Sequence, residues 1–173
     1  MIIRPADIAD ATAIGTIIVR SWQHAYSEIL PAEGLARLSI DERSQQWAEW
    51  LQAETQPMQA LVADEDGQVV GFTSWGPSSD EDDAADPDTV MLYSIYSHPD
   101  WMHKGVGSSL LRAAEAEMIA EGAHEGVLHV LEENAPTRVF YERHGWYLEE
   151  NSARSEHFFE MDMTTVRYRK HFA

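Results

Sequence analysis

The run His98-Pro99-Asp100-Trp101-Met102-His103-Lys104-Gly105-Val106-Gly107-Ser108-Ser109-Leu110-Leu111 places two glycines directly before an amphipathic pattern. A Gly-x-Gly at a helix start lets the backbone approach a ligand and aims several N–H groups at one point. That point lies at the positive end of the helix dipole, where a phosphate or pyrophosphate is stabilised. A β-forming run, Thr89 to Ser97, precedes the loop and stops before Pro99. The chemistry indicated is the binding of an anionic cofactor. The competing reading is that Gly105 and Gly107 only let a helix pack closely on a strand. A second group, Asn134 to Tyr141 followed by Gly145-Trp146, carries a phenol on a short helical pattern. A phenol can give a proton to a leaving group. It can equally be a packed helix aromatic.

The elements that must position these residues are legible from periodicity. Met1 to Arg4 reads as a strand, and Pro5-Ala6-Asp7 leads into a helix with Ile14, Ile17, Ile18, Trp22 and Ala25 at helical spacing. Pro31 to Leu38 reads as a short helix, and Asp41 as the N-cap of a third that carries Trp47, Trp50 and Leu51. Gln59–Asp64 and Gln68–Trp75 form a hairpin around Asp66-Gly67. Ser78 to Asp88 is acidic and reads as a solvated, mobile connection. It lacks the turn glycine and closing glutamate of a calcium loop. The strand Thr89–Ser97 is followed by a helix over Gly105–Glu121, with Val106, Leu110, Ala114 and Met118 on its buried face. Gly126–Leu131 is a strand, Ala135–His144 a helix, and Trp146–Glu149 begins another strand. His157–Met163 alternates as a last, half-exposed strand. The basic ending Val166–Ala173 reads as a frayed tail or a contact with a partner subunit. The order describes one mixed α/β domain, not a βαβ dinucleotide-binding repeat.

Composition narrows the function. A chain of 173 residues with six tryptophans and six tyrosines holds one folded domain. The absence of cysteine excludes a disulfide scaffold, a thiolate zinc site and a cysteine acyl intermediate. The eight histidines form no metal-binding spacing, so no metal is expected. The methionines Met91, Met102, Met118, Met161 and Met163 read as core or pocket lining. No signal peptide or membrane-length apolar run is visible, and a cytoplasmic enzyme is expected. The net charge of −18, with Lys104 and Lys170 the only lysines, opposes nucleic-acid binding. It attracts a cationic acceptor at long range, or simply keeps the protein soluble.

The hydrophobic strand, Pro99 and Gly105-x-Gly107 opening a helix resemble the acetyl-CoA motif of the GNAT N-acetyltransferases. Asn134, Tyr141 and Gly145-Trp146 resemble that family's second motif, and Arg4-Pro5, Asp7, Ser21-Trp22, Tyr26 and Leu30-Pro31 resemble a bacterial branch of it. The resemblance implies an α/β (α+β) acyl-CoA N-acyltransferase fold spanning residues 1–173: a mixed, mostly antiparallel sheet flanked by helices. A V-shaped opening would separate the strands Thr89–Ser97 and Gly126–Leu131. Acetyl-CoA would be the cosubstrate. Its pyrophosphate would lie on the amides around His103, Lys104, Gly105, Val106, Gly107 and Ser108, and its pantetheine arm on the main chain of Ile95 and Ser97. Asn134 would cap its helix, bond the arm, or do both, and Tyr141 would contact the cofactor and protonate the leaving thiolate. Trp22, His24, Tyr26, Trp75 and Tyr93 would line the acceptor pocket.

Two positions depart from the family pattern. Met102 stands where a Gln or Arg often contacts the phosphates. Met91 stands where many relatives carry a glutamate that deprotonates the amine, and no acidic residue occurs between Thr89 and Ser97. The base is therefore open among His24, Tyr26, Glu28, Tyr93 and a water chain. The implied function is direct acetyl transfer to a primary amine of a small molecule, leaning to a cationic amine or polyamine. The alternatives are a non-catalytic acyl-CoA-binding or sensor module, or a transferase for a longer acyl group or a protein N-terminus. Neither nucleic acid nor membrane is an expected partner; a homodimer is common in the family.

Overall fold

Asp66 and Gly67 take positive φ values of 53° and 85°, closing β2 (Gln59–Glu65) onto β3 (Gln68–Pro77) in a two-residue hairpin. The computed structural model describes residues 1–55, 58–83, 86–158 and 161–172. Internal contacts gather the chain into two units, Met1–Gly76 with Ser94–Glu117, and Pro77–Tyr93 with Met118–Ala173. The pairing is antiparallel between β1 (Ile2–Pro5) and β2, between β2 and β3, and between β8 (Met161–His171) and each of β5 (Glu125–Leu131), β6 (Tyr147–Leu148) and β7 (Arg154–Phe158), and it is parallel between β4 (Thr89–Ser97) and β5.

In the first unit β1 (Ile2–Pro5) pairs with β2, and β3 lies beside the second half of β4 (Thr89–Ser97). The sequence predicts a helix led in directly from Asp7. The chain instead makes a 3-10 turn over Ile8–Asp10, closed by a reciprocal Asp7–Asp10 capping box, before α1 (Ala11–Ala25) begins. Ile14 and Ile17 of α1 pack on Val62 and Phe72, joined by Trp47 and Leu51 of α3 (Ile40–Gln52). α2 (Ala32–Ala36) falls inside the expected span. The cap of α3 is Ser39, which accepts a hydrogen bond from the Glu42 amide at 3.2 Å, and not Asp41. Asp41 sits one residue inside the helix, its carboxylate still at the favourable end of the dipole. The other face of β3 meets α4 (Val106–Ala120), so closely at Gly71 that a Cβ there would lie 2.6 Å from Val106 Cγ1. Val106, Leu110, Ala114 and Met118 are buried as the spacing predicts. Arg4 clamps the start of the chain, donating to Asp10 at 2.8 Å and to Asp64 at 3.1 Å. Burial alone would raise the Asp10 carboxyl, but the Arg4 and Asp7 hydrogen bonds outweigh it and hold the pKa below the usual value.

In the second unit the first half of β4 pairs with β5 (Glu125–Leu131) over Thr89–Met91 and Glu125–Val127. β5 then pairs along its length with β8 (Met161–His171), which also carries β6 (Tyr147–Leu148) and β7 (Arg154–Phe158). α5 (Ala135–Arg143) starts at Asn134 and Pro136 and ends before Gly145. Two expectations fail here. His157–Met163 is not one strand: it spans the end of β7 and the start of β8. The ending from Val166 is not a frayed tail, since β8 continues to His171 opposite Glu125. Residues 84–85 of the acidic stretch, 159–160 of the expected strand and residue 173 lie outside the described residues.

The acidic stretch is also not simply solvated. Asp80 and Asp83 are 6% and 7% exposed, and their partners are the arginines of the supposed tail. Asp80 accepts from Arg154 at 2.8 Å, from Arg167 at 3.2 Å, and faces His129 Nε2 at 2.7 Å. Arg169 reaches Asp83 at 3.0 Å, Glu149 at 3.1 Å and Glu125; Arg167 also pairs with Glu149. The acidic and basic segments are complementary, and each is ordered by the other.

A pH prediction follows from Asp80. Burial alone would raise its carboxyl, but hydrogen bonds from His129, Arg154 and Arg167 more than offset this and hold its pKa at about 2, against an ordinary 3.8. A depressed folded pKa contributes stability that is present above the unfolded value and lost as pH falls from about 4 to about 2. The loss expected is about 2 kcal/mol. Urea unfolding of the protein and of Asp80→Asn across this range should show a larger acid-dependent loss in the former, by about 2 kcal/mol. Superimposable profiles would remove the assignment.

Candidate functional site

In the first unit the strand–loop–helix run has the geometry its residue types predict. β4 ends with the His98 amide donating to Val70 O at 2.9 Å, and a 3-10 turn spans Pro99–Trp101. His103 (φ 61°) and Gly105 (φ 85°) then reverse the chain through left-handed conformations, which glycine adopts without strain. The Ser109 amide donates to Gly105 O at 3.0 Å, the first bond of α4. The amides of Val106 and Gly107 thus precede the intrahelical ladder, at the positive end of the dipole. A Cβ on Gly105 would meet nothing within 4 Å, so its glycine is required by the backbone angle and not by crowding. Met102 is exposed, and Lys104 Nζ sits 4.5 Å over the Trp101 ring. Lys104 is held at the loop by a cation–π contact.

Ile95 and Ser97 lie half-buried on the same part of β4. Ser97 O accepts from Ser21 Oγ at 2.9 Å, leaving a second lone pair on that carbonyl. Of the residues expected around the acceptor, Trp22 and Tyr26 come together edge to face at 5.1 Å. They recruit a residue that sequence reasoning missed: Tyr96, whose hydroxyl accepts from Trp22 Nε1 at 3.1 Å. Burial raises the Tyr96 phenol above its ordinary value, so it stays protonated. Alternation along Thr89–Ser97 was the available signal, since Tyr96 shares a face with Ser94 and Tyr93 does not. His24 and Glu28 are exposed. Trp75 is 1% exposed, a core residue whose indole N–H has no partner among the described residues.

In the second unit Asn134 Oδ1 accepts from the Thr137 amide at 3.3 Å, so the capping role is filled. Tyr141 is buried on α5, with its ring 6.1 Å from Trp146 and 6.3 Å from Tyr168. Tyr93 is exposed and donates to Pro77 O at 2.6 Å. Met91 is 4% exposed, with Ser79 Oγ 3.5 Å from its sulfur, so no carboxylate replaces the expected base at that position. No group of three or more metal-ligating side chains occurs among the described residues, and no helix among them is long and apolar enough to cross a membrane.

A model of the acetyltransferase (GNAT) family matches residues 12–146, which includes the loop at Gly105 and both Asn134 and Tyr141. The chain belongs to the GNAT family. This GNAT chain is 29% identical over 140 residues to YuaI of Bacillus subtilis (strain 168), named an uncharacterized N-acetyltransferase, covering 81% of the chain and 76% of that protein. Among solved structures it resembles PaiA N-acetyltransferase from Thermoplasma acidophilum in complex with coenzyme A. The TM-score is 0.77 at 22% identity, over 99% of this chain and 98% of that one. It also resembles yncA from Salmonella typhimurium, solved with its cofactor acetyl-CoA, with a TM-score of 0.73 at 26% identity over 99% and 93% of the two chains. The mixed, mostly antiparallel fold is that of GNAT acetyltransferases, and the chain is an acyl-CoA-dependent N-acetyltransferase.

Proposed function

We propose that this enzyme, as a single domain over residues 1–173, transfers the acetyl group of acetyl-CoA directly to a primary amine of a small molecule. The observation that carries the reading is the loop at His103–Gly105, where two left-handed residues aim backbone amides from the start of α4. Those amides hold the pyrophosphate, from His103 and Lys104 through Gly105, Val106 and Gly107 to Ser108. The main chain of Ile95 and Ser97 pairs with the pantetheine arm as it would with a strand. Asn134, besides capping α5, bonds the arm, and Tyr141 protonates the departing thiolate. With no cysteine in the chain, transfer needs no thiol-bound acyl intermediate. Trp22, His24, Tyr26 and Tyr93 belong to the acceptor side, whereas the expected Trp75 lies in the core; the net charge of −18 favours a cationic amine or polyamine. The buried Met91 favours one rival, a non-catalytic acyl-CoA-binding module.

The test is thiol release from acetyl-CoA across amine classes, with polyamines, amino acids, an aminoglycoside and a peptide N-terminus as acceptors, after cofactor binding has been measured by calorimetry. Binding without release for every acceptor selects the non-catalytic module. Release with a longer acyl-CoA in preference to acetyl-CoA revises the donor.

The loop makes a sharper prediction about binding. Gly105→Val forces a branched side chain to φ 85°, a conformation costing about 1–2 kcal/mol without glycine, so the loop relaxes and its amides lose their aim. Acetyl-CoA should bind Gly105→Val at least about tenfold more weakly. Met102→Gln, at an exposed position, should bind as well as the parent or better. The reverse order of affinities would show that side chains, and not the backbone, hold the phosphates.

A further inference from the structure

Strand register gathers a phenol, an imidazole and a carboxylate on the second unit. The strands β5, β8 and β6 lie side by side in that order. Glu125, at the start of β5, is directly opposite His171 on β8, and Tyr147 on β6 is directly opposite Arg169 on β8. Directly opposed residues share a face, and so do residues two apart on one strand. Glu125, His171, Arg169 and Tyr147 therefore stand on one face.

Hydrogen bonds join three of them in sequence. The Tyr147 hydroxyl is 2.7 Å from His171 Nε2, and His171 Nδ1 is 2.6 Å from Glu125 Oε1. The other carboxylate oxygen of Glu125 accepts from Arg169, which keeps the group ionised. An ionised carboxylate only accepts hydrogen bonds, so Nδ1 carries the ring proton. Nε2 keeps the lone pair, and the phenol donates to it. Partial burial raises the Tyr147 phenol above its ordinary value; Arg169 opposes this, and Glu125 and Glu149 add to it. The phenol is neutral and gives up its proton only to a base, and the base is already bonded to it. Water alone would satisfy a surface phenol. Tyr93 supplies the contrast. It is 39% exposed against 42% for Tyr147, but its hydroxyl donates to Pro77 O, an amide oxygen that takes no proton at neutral pH.

We infer that Tyr147 is a nucleophilic phenol that takes an acyl group from an activated ester, a modification site separate from the amine transfer. A nucleophile bonded to a base that a third group orients is the arrangement by which a weak hydroxyl attacks a carbonyl. Nε2 takes the phenolic proton as Tyr147 Oη forms its bond to the acyl carbon. The bond from that carbon to the leaving oxygen breaks, with its electron pair on the departing aryloxide. The imidazolium, paired with Glu125, gives its proton to water. The products are a tyrosyl ester, an aryloxide and one proton. Glu125 acts through His171 and is a positioning residue.

The experiment treats the full chain with p-nitrophenyl acetate at neutral pH. It follows p-nitrophenolate release and locates acetyl groups by peptide mass spectrometry. In the parent, Tyr147 should acetylate about 10²-fold faster than Tyr93. His171→Gln should bring Tyr147 down to the Tyr93 rate, and Glu125→Gln should give a ratio between the two. That ratio compares two residues of one folded molecule, so a loss of stability alone does not move it. Tyr147→Phe should remove the fast release. Steady release that disappears in Tyr147→Phe supports the same nucleophile, its ester then being hydrolysed. Equal acetylation of the two tyrosines, with release the same in Tyr147→Phe, overturns the proposal. So does a ratio unchanged in His171→Gln, or fast release retained in Tyr147→Phe, which would make the imidazole the nucleophile. None of these outcomes bears on amine acetylation, which is measured with acetyl-CoA.

Discussion

Tyr141→Phe should lower kcat about 10²-fold and leave the Kd for acetyl-CoA within about twofold. The substitution keeps the ring that packs between Trp146, Tyr168 and Phe140 and removes only the hydroxyl. The fold should therefore survive, with a stability loss of about 1 kcal/mol at most. The rate should not, because a thiolate leaves a tetrahedral adduct more readily as it is protonated. A loss confined to kcat identifies an interaction made in the transition state, whereas a rise in KM alone would indicate binding. Single-turnover thiol release, together with calorimetric titration of acetyl-CoA, separates the two. An unchanged rate would remove Tyr141 from the reaction.

Arg169→Ala should destabilise the protein by about 3 kcal/mol, more than any single surface ion pair contributes. Arg169 is 14% exposed and bridges Asp83, Glu149 and Glu125. Burial alone would lower the pKa of its guanidinium, but the three carboxylates outweigh this and raise it above the ordinary value. Removing the cation leaves carboxylates close together and short of partners, which is costlier than losing the attraction itself. Arg169→Lys should recover only part of the loss, since an ammonium cannot fork to several carboxylates. The exposed pair His157–Asp162, by contrast, should tolerate substitution within about 0.5 kcal/mol. Urea unfolding at neutral pH measures all three. A cost below about 1 kcal/mol for Arg169→Ala would show that the network is solvated like a surface pair.

The elements around the Gly105 loop were legible because their information is local. The β4 run, the glycines and the 3.6-residue spacing of Val106, Leu110, Ala114 and Met118 each act over a few residues, and the structure has them all. The Asp66-Gly67 hairpin and the Asn134 cap are local in the same sense. The misread segments depend on distant partners. Asp80 and Asp83 look like solvated loop acids until Arg154, Arg167 and Arg169 are brought to them from the far end of the chain. Arg167 and Arg169 likewise read as a loose tail until β8 pairs with β5. Ser39 displaced Asp41 as a cap because several residues there could serve, and only the backbone chooses among them.

By itself the sequence determined the family, and the glycine loop before α4 and the helix that carries Tyr141, since each is set by residue type at fixed short spacing. It also determined that β4 carries no carboxylate. Only the tertiary structure decided that the charges of two remote segments neutralise each other. It alone also set His129 against Asp80, separated by 49 positions. A histidine's tautomer and partners arise from strand register and burial, and neither is written in the residues beside it.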